Sequence, residues 1–252
     1  MERRTVLGRL NWQFGDVLAT QVETARTKSI TLALPNWMGH RPGQHVDVRL
    51  TAEDGYQAER SYSIGSPPEE QPRVTLTVER LDDGEVSPYL TDELRAGDKL
   101  ELRGPIGGYF VWESHMGGPL LLVAGGSGIV PLMAMIRHRA AVGSTVPTRL
   151  LYSSRSYEEV IYRDELEHLI RSSTLLEVVH TLTRVQPSGW TGYRRRIDTE
   201  MLREVAWLPD QHPLAFICGP TPFVETAAAS LVTLRYEPGR IKTERFGPTG
   251  EA

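Results

Sequence analysis

The run Gly125-Gly126-Ser127-Gly128-Ile129-Val130-Pro131 holds the residue types that point most directly to chemistry. Glycine accepts positive φ and lets a second backbone or a phosphate come close. An apolar run, 120–124, leads into it and a helix-like segment follows. Unpaired N–H groups and the positive end of a helix dipole would therefore face an anion there. Pro131 suits the first helical turn, where its missing N–H costs nothing. The same residues also suit a plain strand–helix turn without a ligand. The pattern is not the Rossmann glycine fingerprint, because Pro131 follows Gly126 and Gly128. Nor is it a nucleophile elbow, because Ser127 is followed by Gly128-Ile129, so a serine hydrolase has little support.

Three further groups carry polar chemistry. Tyr152-Ser153-Ser154-Arg155 ends the next strand, where an acid would hold the ribose of NAD and an arginine accommodates the 2′-phosphate of NADP. Ser154 and Arg155 favour the phosphate; a solvated loop arginine is the plain alternative. Arg60-Ser61-Tyr62-Ser63 offers a phosphate fork, a flat ring with a polar tip and a small hydroxyl. Gly84-Glu85-Val86-Ser87 would open a helix and present a second set of N–H groups. Taken singly, an alternating Arg and Tyr on a strand are ordinary surface and core residues.

The elements that must position these groups fall into two kinds. Up to about residue 110, alternating or β-branched runs at 17–22, 29–34, 45–50, 60–64, 74–81 and 99–102 are separated by turn chemistry such as Arg41-Pro42-Gly43 and Asp82-Asp83-Gly84. Six short strands with one helical interruption at 87–94 predict a small antiparallel barrel. Beyond 112–118 the period changes. Strands at 120–124, 149–152, 176–182, 214–218 and 240–246 alternate with helices at 130–141, 163–170, 199–205 and 222–234, which predicts a parallel sheet wrapped by helices. The predicted fold is thus two domains, an antiparallel β-barrel over 1–115 and an α/β nucleotide-binding domain over 116–252.

Composition narrows the function. The chain has 252 residues, 28 Lys+Arg against 32 Asp+Glu, a net charge of −4 and 40% hydrophobic residues. That balance excludes disorder and coiled coil and lacks the basic face nucleic acid would need. A single Cys excludes a disulfide framework, a four-cysteine zinc site and a cysteine-ligated iron–sulfur cluster within this chain. The seven histidines show no ligand spacing, so no metal is expected. The first ten residues lack the apolar run of a secretory signal. The uncharged stretch 116–136 has the length of a membrane span, but its glycines and prolines divide it into strand, turn and helix start. A cytoplasmic protein without membrane insertion is expected.

Arg60-Ser61-Tyr62-Ser63, Gly84-x-x-Ser87, Gly104-Pro105-Ile106-Gly107, Gly125 to Pro131 and Cys218-Gly219-Pro220 occur in the order and spacing of one family. The chain resembles ferredoxin–NADP reductase-type flavoproteins over nearly its whole length. The resemblance implies a barrel that binds flavin, FAD before FMN, and an α/β half that binds NADPH or NADH. Arg60 would hold the flavin phosphates, Tyr62 would pack on the ring and ribityl chain, Ser63 would bond near N5, and Ser61 and Ile64 would join that segment's contacts. Thr77, Val78 and Glu79 would run beside the ribityl chain. Glu79 departs from the lysine of plant-type members, and a carboxylate there would repel pyrophosphate. Gly84, Val86 and Ser87 would close over that pyrophosphate. Gly125, Gly126, Ser127, Gly128, Ile129 and Pro131 would hold the nicotinamide dinucleotide, Ser154 and Arg155 its 2′-phosphate, and Tyr162 its adenine.

By the same resemblance Cys218, with Gly219 and Pro220, would lie against the nicotinamide as a positioning group and not as a nucleophile. Glu244 and Phe246 would approach the flavin face, although here the chain continues past Phe246. Hydride would pass from nicotinamide to flavin with Ser63 and Cys218 fixing the approach. A ferredoxin, flavodoxin or oxygenase component would then receive the electrons. Arg194-Arg195-Arg196 would suit an acidic carrier, or form a solvated loop. A diaphorase serving free flavins, quinones or nitro compounds would use the same residues, and a relay subunit of a larger complex would keep the layout. The dihydroorotate dehydrogenase electron-transfer subunit shares that layout but needs a C-terminal cysteine cluster. A sugar- or lipid-binding barrel has almost no support.

Overall fold

Period-two alternation builds the first half of the computed structural model, which describes residues 10–247. The expectations placed on the first nine residues and on the tail 248–252 lie outside those residues. Strands β1 (Gln13–Thr24), β2 (Thr27–Ala33), β3 (His45–Thr51), β4 (Gln57–Ser63), β5 (Arg73–Glu79) and β6 (Lys99–Ile106) form one antiparallel sheet in the order β4-β3-β6-β1-β2-β5. Val17, Ile30, Leu32, Val46, Val48, Val74, Leu76 and Leu102 turn inward as its core. The sheet closes on itself after β4, where Ile64 bridges Leu76 and the Gly65 N–H donates to Thr75 O at 2.8 Å. That closure brings the Arg60–Ser63 end of β4 beside β5. The helix expected at 87–94 is a single short one. It opens at Ser87 and widens into a π-helical turn at Tyr89–Glu93, where the Leu94 N–H reaches back to Tyr89 O at 3.0 Å.

The second half alternates β7 (Leu120–Gly125), α1 (Ile129–Ala141), β8 (Thr148–Ser154), α2 (Arg163–Ser172), β9 (Leu176–Leu182), α3 (Thr199–Val205), β10 (Leu214–Pro220), α4 (Thr221–Thr233) and β11 (Ile241–Phe246). The five strands are parallel and ordered β11-β10-β7-β8-β9. Every residue of β7 is buried, because helices cover both faces of the central strand. From β7 the chain steps to β8 and β9 on one side and then crosses back through α3 to β10 on the other, so the strand order reverses beside β7 and a crevice opens at the carboxyl ends, where such sheets bind ligands. No helix among the described residues is long and apolar enough to cross a membrane.

Polar contacts join the two halves. Arg137 on α1 donates to Gly65 O at 2.6 Å and pairs with Glu165 at 2.5 Å. Tyr109 Oη donates to Ile241 O at 3.2 Å, and His138 lies 2.8 Å from Glu69. Tyr162, buried at the start of α2, donates from its hydroxyl to Thr77 on β5.

Candidate functional site

The barrel and the crevice share one cavity of about 330 Å³. β4 contributes Arg60, Ser61, Tyr62 and Ser63; β5 contributes Thr77 and Glu79; the following turn adds Gly84, Val86 and Ser87. Ser127 and Val130 reach it from the glycine turn, and Phe246 from the end of β11. Groups from sequence positions nearly two hundred residues apart thus face one space.

Arg60 stands at the rim, its guanidinium 2.7 Å from Glu85, whose other oxygen accepts from Tyr56 Oη at 2.7 Å. A second donation, Nη1 to Glu59 O at 2.7 Å, fixes the fork while leaving other N–H groups for an anion. Ser61 is turned to Asp47, donating at 2.6 Å. Tyr62 is half-buried, and that burial pushes its phenol well up, so it is a neutral flat ring at any ordinary pH. Ser87 Oγ accepts from the Leu81 N–H at 3.0 Å and braces the Gly84 turn. A side chain at Gly84 would press on that hydroxyl at 2.9 Å. Ile64 and Val78 are fully buried in the barrel core, and Ile129 and Pro131 in the second half, so only their backbones are available to a ligand.

The three glycines of the turn do three different things. Gly126 takes φ +56° with open space above it, its nearest neighbour being Glu79 at 4.0 Å, a backbone that favours glycine. Gly128 is pressed against the Cys218 carbonyl and the Gly219 nitrogen, so its missing Cβ serves close packing of β7's turn on β10's end. Gly125 and Gly219 lie beneath the ring of Phe223, which a Cβ at Gly219 would meet at 2.7 Å. Phe223, which sequence reasoning passed over, therefore caps the crevice. Its signal was available in its place three residues beyond Pro220.

Cys218 is buried, opposite Ala124 on one side and Glu244 on the other. Burial, with the nearby Glu244 charge, pushes the thiol well above its ordinary range. It is a packing group, and the thiolate is the reactive form. Iodoacetamide at pH 8 is therefore expected to leave the folded protein unmodified over hours and to alkylate Cys218 fully in denaturant. Rapid labelling of the folded protein, read by mass spectrometry, would contradict this. Desolvation raises the Glu244 carboxyl to about 7, within reach of a neutral-pH proton exchange.

Ser154 and Arg155 close β8. The Ser154 hydroxyl is buried without a partner, while Arg155 is exposed, and its carbonyl accepts from the Arg184 N–H at 2.9 Å. Tyr162 is not at this end. It is 3% exposed, covered by the Arg137 guanidinium at 4.6 Å and tied to Thr77, so it cannot stack on an adenine. The proximity to Arg155 in sequence misled because Val160, Ile161 and Tyr162 turn back into the core. Half-buried Tyr157 and Trp190, 5.8 Å apart, are the aromatic rings of this region. Of the arginine triplet, Arg195 pairs with Asp198 at 2.8 Å and Arg194 donates to Trp190 O at 2.5 Å, so both are engaged locally. His45, paired with Ser63 across β3 and β4, is a second neighbour that spacing did not reveal; burial lowers its pKa.

An FAD fits these residues. Arg60 and the Gly84 turn suit its phosphates, Tyr62 and Phe246 its ring, and the hydroxyls of Ser63 and Thr77 its polar edges. The space over Gly126 is open to a ligand, although the Glu79 carboxylate at its side is no partner for a phosphate.

A family model for the oxidoreductase FAD-binding domain matches residues 16–111, and one for the oxidoreductase NAD-binding domain matches residues 122–229. Ferredoxin–NADP reductase B of Sorangium cellulosum is 38% identical over 181 residues, covering 70% of this chain and 72% of that protein. The glycine betaine monooxygenase reductase subunit of Pseudomonas aeruginosa is 34% identical over 212 residues, 83% of this chain. The chain spans only 57% of that relative's length. Among solved structures, the flavohaem-like FAD/NAD-binding domain of nitric oxide dioxygenase from Vibrio cholerae superposes with a TM-score of 0.84 at 25% identity, covering 94% of this chain and 99% of that one.

Proposed function

Because the chain belongs to the ferredoxin–NADP reductase-type family of FAD- and NAD-binding oxidoreductases, we propose that it oxidises NAD(P)H through bound FAD and serves a separate protein acceptor. That acceptor is a ferredoxin, a flavodoxin or an oxygenase component. The observation that carries this reading is the single cavity in which β4, β5, the Gly84 turn, the glycine turn and Phe246 meet. The flavin, when bound, supplies the exchange between a two-electron donor and a one-electron acceptor; the protein supplies orientation.

Residues 1–115 hold the flavin and 116–252 the nicotinamide dinucleotide. Arg60, with the N–H groups around Gly84, Val86 and Ser87, takes the phosphates, and Tyr62 and Phe246 sandwich the ring. Ser63 offers a hydrogen bond at the reacting edge. Cys218 with Gly219 and Pro220 sets how deep a nicotinamide can lie, and Glu244 holds a proton beside it. Phe246, which lines the cavity, would cover a bound flavin ring and would have to yield its place to a nicotinamide. Most of the acceleration then comes from alignment, up to roughly 7–11 kcal/mol for well-oriented partners. Likeness to an oxygenase reductase and to a ferredoxin reductase supports a protein acceptor. A buried lone thiol suits a cytoplasmic setting.

An anaerobic spectral titration tests the reading. A yellow protein bleached by one equivalent of NADPH or NADH is expected; a protein that takes up no FAD or FMN would refute it. NADPH is the expected donor, read by Arg155 beside the unpartnered Ser154 hydroxyl. Arg155→Ala should weaken NADPH binding by about 10- to 100-fold, the worth of a hydrogen bond to a charged group, and leave NADH within twofold. Equal losses for both coenzymes would remove Arg155 from that role.

A further inference from the structure

A chain of hydroxyls runs along the outer face of the barrel wall to the cavity, on the side opposite the core residues Ile30, Leu76 and Val78. Tyr162 Oη donates to Thr77 Oγ1 at 2.5 Å, Thr77 Oγ1 lies 2.8 Å from Ser29 Oγ, and Ser29 Oγ donates to Glu23 Oε1 at 2.6 Å. Each hydroxyl owns one hydrogen. Ser29 spends its hydrogen on Glu23, so in the bond between Ser29 and Thr77 the threonine must be the donor. The hydrogen of Thr77 is therefore directed along the chain, and Tyr162 fills one of its lone pairs. One acceptor position remains. Thr77 itself lines the cavity with Tyr62 and Ser63, whereas Glu23 and Ser29 line a second cavity of about 310 Å³ farther along the same outer face.

We propose that Thr77 faces the cavity as an obligate acceptor, its hydrogen committed to Ser29, and so selects a ligand edge that carries an N–H. On an oxidised isoalloxazine that edge is the imide, N3–H, since the other ring heteroatoms accept. This inference rests on the flavin reading above. It makes Ser29 and Glu23, which touch no ligand, positioning residues for the polarity of the site. Buried polar groups impose such directionality because an acceptor facing an acceptor leaves both unsatisfied.

The test compares FAD with N3-methyl-FAD in titrations of the apoprotein, read by the flavin spectrum. The wild type should bind the methylated probe at least tenfold more weakly. In Ser29→Ala, Thr77 is free to turn its hydrogen toward a ring carbonyl, and in Thr77→Val there is no hydroxyl to satisfy; in both the penalty should shrink to within threefold. A penalty of equal size in all three proteins would mean that the methyl group merely clashes, and would overturn the inference. No penalty in the wild type would overturn it too, as would be found if a ribityl hydroxyl were the donor. Binding of FAD without discrimination sinks this inference alone, whereas no uptake of FAD by the wild type sinks the flavin reading with it.

Discussion

Gly128→Ala is expected to cost about 3 kcal/mol or more of stability, the upper end of what overpacking costs, and to weaken both nicotinamide coenzymes at least tenfold. The added Cβ would run into the Cys218 carbonyl oxygen and stand 2.5 Å from its carbon and 2.8 Å from the Gly219 nitrogen. Neither atom can retreat, because Cys218 is clamped in register between Ala124 and Glu244. Relief must come from lifting the turn off β10, which moves the start of α1 and the cradle above Gly126. Gly126→Ala is the control. Its Cβ meets open space, so only the left-handed backbone resists, about 1–2 kcal/mol. Denaturant unfolding and coenzyme titration on the two variants decide the matter: equal costs would mean that the contact with Cys218 is not what Gly128 provides.

Glu244 carries the second large effect. Its carboxyl ordinarily ionises near 4.5, and burial raises that to about 7. The folded state therefore binds the proton more tightly than the unfolded chain does. The stability this confers is complete below pH 4.5, is lost as pH rises toward 7 and is absent above it. A shift of that size corresponds to roughly 3 kcal/mol. Glu244→Gln keeps the shape and removes the titration, so the wild type minus variant difference in unfolding free energy should fall by that amount between pH 4.5 and 8. A difference independent of pH would show that the carboxyl is not held protonated. If Glu244 also serves the coenzyme, the wild-type oxidation rate should change through an apparent pKa near 7 that the glutamine variant lacks.

The order and kind of the elements could be read from local pattern. β7 betrays itself as an unbroken apolar run because both its faces are covered. β9 and α3 have the bounds that periodicity predicts, Leu176–Leu182 and Thr199–Val205. β4 could not be bounded so well. It begins at Gln57, and its first half alternates weakly because Gln57, Glu59 and Arg60 are exposed. Motif spacing and the family resemblance named most of the residues that line the cavity, among them Arg60, Tyr62, Ser87 and Phe246, but not Leu81. It failed where a role depends on a partner far along the chain. Tyr162 meets Thr77 across 85 positions, Arg137 meets Gly65 across 72, and Ser29 meets Thr77 across 48. No local period encodes such pairings; they follow from the closure of one sheet and the docking of the other. Gly128 shows a constraint that spacing does not reveal, the backbone of β10, because sequence cannot say which neighbour a glycine admits.

The contact between Tyr162 and Thr77 has a consequence for how the molecule melts. Thr77 belongs to the barrel and to the cavity, and Tyr162 begins the helix that covers the far edge of the parallel sheet. Losing either half strands a buried hydroxyl of the other, and half-buried Arg137 loses its contact with Gly65 O as well. The halves thus behave as one cooperative unit and not as two beads on a string. A ligand that orders the barrel should accordingly slow amide hydrogen exchange in β8 and α2, which it never touches, as strongly as in β4.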